Sequence, residues 1–204
     1  MPPALPDDLA LLAPREWTFT VDEYHALGRA GVLDEDSRVE LIDGRLIAMS
    51  PIGAPHLLAV NRTERAFARR LYVEEPPLAV VSVQNPLRLD DGTEPEPDVV
   101  LLRPRYEARG TPTPPDALLV VEVADSTVEY DRRVKAPRYA RAGVPELWIV
   151  VLADRTVEVH RQPGAAGYAD VRTVGEGETL DVVSLPGIAG VPVEDVLPPA
   201  DSSA

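Results

Sequence analysis

The stretch LLVVEVADSTVEYDRRVKAPRYARAGVPELWIVV, residues 118–151, contains two apolar runs on either side of a more polar segment. Residues 118–123 and Glu146–Val151 are almost continuously apolar, which is typical of strands buried on both faces of a sheet. The segment between them predicts a helix over residues 128–142, which Gly143 is suited to end. A strand, a helix and a strand in this order indicate a crossover unit with parallel strands.

The start of this helix has two interpretations. Ser126-Thr-Val-Glu129 matches the capping-box pattern and predicts Ser126 as the N-cap. Pro137 interrupts the helical pattern, so the helix is either kinked there or begins near Asp131.

Strand signals on both sides of this unit predict antiparallel neighbours. In RVELIDGRLIAMS, residues 38–50, Asp43-Gly44 predicts a type I′ turn between strands at 39–42 and 45–49. We therefore expect an α/β (α+β) fold, in which helices flank a mixed central β-sheet with an N-terminal hairpin and C-terminal antiparallel strands. Further strands are predicted at residues 79–84, with an extension over 87–89, and at 98–102, 156–161, 168–174 and 179–183.

Two helices are predicted in the N-terminal half. Thr20 and Glu23 form a capping-box pattern that predicts a helix to about Ala30. Residues 57–71 predict a second helix with a locally basic surface, which fits either a solvated face or a contact with phosphate. The arginines on this surface are Arg62, Arg65, Arg69 and Arg70.

Length and composition predict one folded domain in a cytoplasmic protein. Of the 204 residues, 45% are hydrophobic and none is cysteine, so a core is available and disulfides are excluded. No apolar run approaches the ~18 residues of a membrane span, and the N-terminus lacks the basic start of a signal peptide. We expect a single domain over residues 16–197 between loose tails at 1–15 and 198–204. The net charge of −14 counts against a tight nucleic-acid binder.

Two acidic residues beside apolar runs are the strongest candidates for chemistry. Asp98 opens the run DVVLL, and Glu122 interrupts LLVVEVA. A buried carboxylate is costly unless a cation compensates it. Two carboxylates and a lysine are the usual ingredients of a magnesium-dependent hydrolytic site. Lys135, on the predicted helix that follows, could point back toward such a metal ion.

Several of these residues also have an ordinary structural interpretation. Asp98 could merely end a loop, and Asp131 with Lys135 could be a helix surface pair. Glu40 alternates with apolar neighbours, which favours a solvent-facing position on the first strand of the hairpin. His56 precedes the helix at residues 57–71, where it could be an N-terminal cap or a substrate contact.

The chain resembles the Uma-type restriction endonuclease family of the PD-(D/E)xK restriction-endonuclease-like superfamily. The similarity lies in VELIDGRL (39–46), the loop that leads to His56, EPDVVLL (96–102), VEVADSTVEYDRRVK (121–135) and YARAGVPELWIV (139–150). It extends over about residues 18–195. One departure concerns the lysine of the ExK motif, whose place is taken by Ala124. The resemblance therefore implies that the role of this lysine falls on Lys135.

The resemblance implies roles for the remaining candidates. Asp98 and Glu122 would be metal ligands, and Glu40 would be an additional acid near the metal. Gln84 is a further site residue by analogy with the superfamily, and His56 stays a candidate substrate contact. The cofactor implied is Mg²⁺, with Mn²⁺ as a substitute, the partner is DNA, and the assembly is a homodimer.

Three hypotheses for function follow. The first is a Mg²⁺-dependent endonuclease that hydrolyses phosphodiester bonds of DNA. The second is a non-catalytic nucleic-acid- or protein-interaction module of the same fold, which the acidic composition favours. The third is a hydrolase for another phosphorylated substrate, acting through the same site.

Overall fold

The computed structural model of the protein describes residues 16–33, 37–73, 75–104 and 110–200. Its strands, in chain order, are β1 (Val39–Ile42), β2 (Arg45–Ala48), β3 (Val80–Val83), β4 (Val99–Leu102), β5 (Ala117–Ala124), β6 (Glu146–Val151), β7 (Thr156–Gly164), β8 (Gly167–Gly175), β9 (Thr179–Leu180) and β10 (Val191–Pro192). Six of them form one mixed sheet in the spatial order β3-β4-β5-β6-β7-β8. The hairpin β1-β2 and the pair β9-β10 stand outside this sheet.

The centre of the sheet is the predicted crossover unit. β5 and β6 pair in parallel, whereas the other neighbouring strands of the sheet pair antiparallel. Every residue of β5 and β6 is buried, which explains why both strands are almost continuously apolar in sequence. The predicted mixed sheet with antiparallel edges is confirmed.

The first two helices, α1 (Val21–Arg29) and α2 (Ala54–Leu71), precede the large sheet in the chain. The capping box predicted for α1 is present, because the Thr20 side chain accepts from the Glu23 N–H while the Glu23 carboxylate accepts from the Thr20 N–H. α2 begins three residues earlier than predicted, with Gly53 as its N-cap, because Pro55 in its first turn is compatible with a helix start.

The third helix, α3, contains a π-helical stretch. It consists of Val128–Tyr130, the π-helical Asp131–Lys135 and Ala136–Ala142, and it ends at Gly143 in the left-handed conformation with φ 83°. The predicted Ser126 cap is wrong, because the N-cap is Thr127 and its side chain makes no capping hydrogen bond. The helix also does not begin near Asp131. The wide π-turn directly precedes Pro137, whose ring would clash with the carbonyl four residues back in a regular α-helix.

Helices cover both faces of the sheet. α2 packs on one face, where the Phe67 ring lies 5.6 Å from the Trp148 ring, centroid to centroid. α3 packs on the other face, where Tyr139 is fully buried. A polar side chain that projects from β5 toward α3 is therefore shielded from water by the helix.

The turns and short strands match the sequence-based predictions only in part. The hairpin turn at Asp43-Gly44 has positive φ at both residues, as a type I′ turn requires. The strand extension predicted over residues 87–89 is wrong, because the chain leaves the sheet after β3 at Asn85-Pro86. β9 is shorter than the predicted strand at 179–183, since its partner β10 offers only two residues for pairing. The described chain also contains the 3₁₀ helix Val193–Asp195 near its C-terminal end.

The predicted domain limits, residues 16–197, stay a prediction. The predicted tail at 1–15 lies outside the described residues, as do residues 201–204 of the tail at 198–204. No helix within the described part of the chain combines the length and the apolar composition that a membrane span requires.

Candidate active site

Glu40, Asp98, Glu122 and Lys135 line one pocket of about 270 Å³. Glu122 lies near the C-terminal end of β5, and Asp98 directly precedes β4, the antiparallel neighbour of β5. The hairpin strand β1 supplies Glu40 and the π-helical part of α3 supplies Lys135. Four separate elements thus bring the predicted residues to one place.

Asp98 is held by three hydrogen-bond donors. Its Oδ2 accepts from the backbone N–H of Val123 at 2.8 Å and lies 3.1 Å from Nε2 of His56. Its Oδ1 accepts from the side-chain amide of Gln84 at 3.3 Å. Because a carboxylate oxygen can only accept, Nε2 of His56 carries the proton in this contact. The interpretation of Asp98 as a mere loop end is wrong, since its carboxylate is fixed inside the pocket.

His56 and Gln84 therefore contact Asp98 from two sides. His56 is in the first turn of α2, so the interpretation as an N-cap is wrong, and its side chain is 14% exposed. Gln84 follows β3 with φ 50°, a left-handed conformation that turns the chain at the end of the strand. Both residues line the pocket.

Glu122 is almost fully buried on the face of the sheet that α3 covers. Its Oε1 accepts from the hydroxyl of Tyr139 at 2.6 Å and from Nζ of Lys135 at 3.2 Å. Burial raises the pKa of Glu122 to about 8, against the opposing effect of the Lys135 charge. The nearby Asp131 and Asp98 carboxylates raise it further, so the ionised form of Glu122 calls for an additional positive charge.

Lys135 joins two carboxylates through a single ammonium group. Its Nζ lies 3.0 Å from Oε1 of Glu40 and 3.2 Å from Oε1 of Glu122, and the side chain is 3% exposed. Burial lowers the pKa of Lys135, but the charges of Glu122, Glu40 and Asp131 outweigh that effect, so the pKa stays above its ordinary value. The interpretation of Asp131 and Lys135 as a surface pair is wrong, because both are buried.

Glu40 is also buried, which contradicts the solvent-facing position predicted for it. Its carboxylate is enclosed by two other segments, the chain that precedes β4 and the helix α3. Oε1 of Glu40 accepts from the Glu96 N–H at 2.9 Å and from Lys135. Its Oε2 is buried and has no partner among the described residues.

Three residues of this site were not predicted as site residues. Tyr139 lies four residues after Lys135, a spacing that places both on one side of a helix. Asp131 lies four residues before Lys135, and Thr127 donates to it at 2.8 Å. Glu96 is two residues before Asp98 and lines the pocket, a spacing that places both on one side of an extended segment. The spacings of these three residues could be read from the sequence, but the burial of their side chains could not.

The donor set fits a hard divalent cation such as Mg²⁺. Glu40, Asp98, Glu122 and Asp131 are all buried, and Lys135 is the cation among them, so the group carries an excess of negative charge when ionised. In the described parts of the chain no three His, Cys, Asp or Glu side chains are grouped as ligands of one ion. Mg²⁺ is commonly bound through one or two carboxylates with water in its other positions. Oε2 of Glu40, which has no partner among the described residues, is a carboxylate oxygen that such an ion could bind.

Comparison with known proteins identifies a family to which the chain is similar and a solved structure with a similar fold. The Uma2 family model, described as "Putative restriction endonuclease", matches residues 21–194. A solved structure described as a "putative nuclease belonging to DUF820", from Anabaena variabilis, aligns with a TM-score of 0.68 over 87% of this chain and 97% of its own. The two chains are 15% identical, so this likeness shows a shared fold. No curated protein matches the chain.

Proposed function

Because the chain belongs to the Uma2 family, we propose that the protein is a metal-dependent endonuclease that hydrolyses phosphodiester bonds of DNA. The observation that carries the proposal is the convergence of Glu40, Asp98, Glu122 and Lys135 in one pocket. These residues are far apart along the chain, and the burial of charged groups such as Glu40, Glu122 and Lys135 costs free energy of folding, which is typical of functional sites.

In this proposal Asp98 and Glu122 hold Mg²⁺, or Mn²⁺ in its place, and Glu40 is an additional acid at the ion. When bound, the ion would polarise a phosphoryl oxygen and lower the pKa of a water molecule. Oε1 of Glu122 is occupied by Tyr139 and Lys135, so the oxygen left for a ligand is Oε2.

Lys135 has two tasks that its position supports. Its ammonium fixes the Oε1 atoms of Glu40 and Glu122 at 3.0 and 3.2 Å and so sets the orientation of both carboxylates. It also supplies a permanent positive charge beside the pocket, which would stabilise the charge that develops on an attacked phosphate. Its raised pKa argues against a role as a general base, because the amine stays protonated near neutral pH.

His56 and Gln84 act on Asp98 in this scheme. Their hydrogen bonds at 3.1 and 3.3 Å orient the carboxylate, and both side chains also face the space that a substrate would occupy. A substrate contact by either residue stays a prediction. The homodimer and the cytoplasmic location also stay predictions.

The direct test is cleavage of supercoiled plasmid DNA with Mg²⁺ or Mn²⁺. Wild-type protein should nick or linearise the plasmid, and Asp98→Asn, Glu122→Gln and Lys135→Met should each lose this activity while staying folded. Arg133→Met is a matched control, because Arg133 lies in the same π-helical stretch with its side chain 81% exposed. Equal cleavage by the wild type and the three site variants would overturn the proposal.

A non-catalytic interaction module of the same fold is the second candidate. Two observations favour it: the described residues hold no ready-made group of three metal ligands, and the Lys135 ammonium already bridges the Glu40 and Glu122 carboxylates. Calorimetric titration with Mg²⁺ separates the candidates. Heat that disappears in Glu122→Gln supports the metal-dependent enzyme, whereas no heat with the wild type supports the module.

A further inference from the structure

A row of three arginines lies on α2 outside the active-site pocket. Arg62, Arg65 and Arg69, here called the arginine row, line a surface depression of about 190 Å³ together with Asp195. Their spacing of three and four residues places them on one side of the helix. In a chain with a net charge of −14, such a local concentration of positive charge is unexpected.

Among the described residues, only one arginine of the row takes part in a hydrogen bond within the protein. Arg65 and Arg69 are exposed and make no hydrogen bond or ion pair with any residue that the structure describes. Arg62 is anchored instead, because its guanidinium donates to the backbone carbonyl of Glu194 at 2.6 Å. Its Nε is buried and has no partner within the described ranges. The depression thus has one fixed guanidinium and two free ones.

The single acid in the lining does not cancel this charge. Asp195 lies 3.2 Å from the guanidinium of Arg70, a fourth arginine that also donates to the carbonyls of Ala66 and Gly190. Because Arg70 compensates Asp195, the three charges of the arginine row stay available to an anion outside the protein.

The spacing of the arginine row suits a repeating anion. Arg62 and Arg69 are seven residues apart, which is about 10 Å along an α-helix. Phosphates along one strand of a DNA duplex rise by about 3.4 Å each, so the row extends over about three of them. Guanidinium groups bind phosphate in a bidentate manner, which an ammonium cannot do.

We propose that the arginine row is a second phosphate-binding site, which holds the backbone of a nucleic acid outside the active-site pocket. The inference rests on the proposed function for the identity of the polyanion. The first turn of α2 places His56 against Asp98, and the row begins about 9 Å further along the same helix and ends about 20 Å from His56. The row is therefore a site separate from the active-site pocket.

The test is the salt dependence of binding to a fluorescent 30-base-pair duplex, measured by anisotropy in EDTA so that no hydrolysis occurs. Each phosphate contact contributes about 0.9 to the slope of log K against log salt concentration. The double variant Arg65→Gln/Arg69→Gln should reduce the slope by about 2 and weaken binding at every salt concentration. Its melting temperature should not change, since neither side chain has a described partner.

The matched control is Arg29→Gln/Arg172→Gln, which removes the same charge from two other exposed positions. A slope that falls equally in both double variants would mean that only the overall charge matters, and the proposal would be overturned. Poly-glutamate that displaces the duplex at equal charge concentration would point to an acidic protein partner and would also overturn it. The assay measures binding and needs no cleavage. A protein that cleaves no DNA but shows the expected change in slope would therefore contradict the proposed activity and still support this phosphate-binding site.

Discussion

The ammonium of Lys135 lies 3.2 Å from Oε1 of Glu122, and neither side chain is more than 4% exposed. The two residues are thirteen positions apart, on a central strand and on the helix that follows it. The superfamily resemblance predicts a lysine two residues after this glutamate on β5, where Ala124 stands. Lys135 lies in the π-helical part of α3 and reaches this carboxylate from the helix that follows the strand.

Removal of the lysine charge should destabilise the protein. Breaking a buried ion pair by removing one partner costs about 3 to 5 kcal/mol, because a buried charge is left uncompensated. We expect Lys135→Met to lower the free energy of unfolding by about this much at pH 8, measured by urea denaturation. The loss should be smaller at pH 5, where Glu122 is protonated in the folded state.

The control for this prediction is Arg133→Met, on the same helical stretch. Its side chain is 81% exposed and pairs with Glu129 at the surface, so its loss should change the free energy of unfolding by no more than about 0.5 kcal/mol. A Lys135→Met protein as stable as this control at pH 8 would contradict the assignment of a buried ion pair.

The pH dependence of stability should report the raised pKa of Glu122. Between its ordinary pKa of 4.5 and its folded pKa of about 8, the unfolded chain releases this proton while the folded protein keeps it. Stability therefore falls as pH rises through this window, by up to about 1.4 kcal/mol per pH unit. Glu122→Gln cannot ionise, so its unfolding free energy should be flatter from pH 5 to pH 8.

This measurement needs EDTA, because a bound cation would favour the ionised carboxylate and mask the effect. Glu129→Gln serves as a control, since Glu129 is exposed and should not alter the pH slope. Parallel pH profiles for the wild type and Glu122→Gln would show that Glu122 is ionised in the folded protein already at low pH.

The central unit could be predicted from sequence because its signals are local. Glu146–Val151 is a strand over the predicted residues, and Asp43-Gly44 makes the predicted hairpin turn. In both cases the deciding features, a continuous apolar run and a residue pair tolerant of positive φ, lie within a few positions of each other. The helix α1 could be predicted for the same reason, since its capping box spans only four residues.

The burial of the site could not be predicted, because it depends on contacts between distant segments. Glu40 alternates with apolar residues as a solvent-facing strand residue does, and it is buried because two segments distant in the sequence, at Glu96 and Lys135, contact its carboxylate. The π-turn in α3 lies just before Pro137, and no local sequence pattern predicts a π-turn rather than a kink at this position. The partnership of Tyr139 with Glu122 likewise required the packing of α3 on β5.

The hydroxyl of Tyr139 should influence metal binding without taking part in chemistry. It donates to Oε1 of Glu122 at 2.6 Å, so Tyr139→Phe removes a donor that favours the ionised carboxylate. We expect the Mg²⁺ concentration at half-maximal activity to rise several-fold, with a smaller change in the rate at saturating Mg²⁺. The stability cost of losing one such hydrogen bond is about 1 to 3 kcal/mol.

Tyr168→Phe provides the matched comparison. Its hydroxyl donates to the backbone carbonyl of Val144 at 3.0 Å, away from the pocket, so its loss should cost stability without moving the Mg²⁺ midpoint. If both variants shift the midpoint alike, the effect of Tyr139 is a general loss of stability rather than control of Glu122.

Mg²⁺ should stabilise the folded protein if Asp98 and Glu122 hold it. A ligand that binds only the folded state stabilises by RT ln(1 + [L]/Kd), about 2.7 kcal/mol at one hundred times Kd. We expect the melting temperature of the wild type to rise with Mg²⁺ and to return to its starting value on addition of EDTA. Asp98→Asn should abolish the rise, whereas Asp170→Asn, on the exposed strand β8, should keep it. A rise of equal size in Asp98→Asn would place the bound ion elsewhere, and the absence of any rise in the wild type would favour the non-catalytic module over the metal-dependent enzyme.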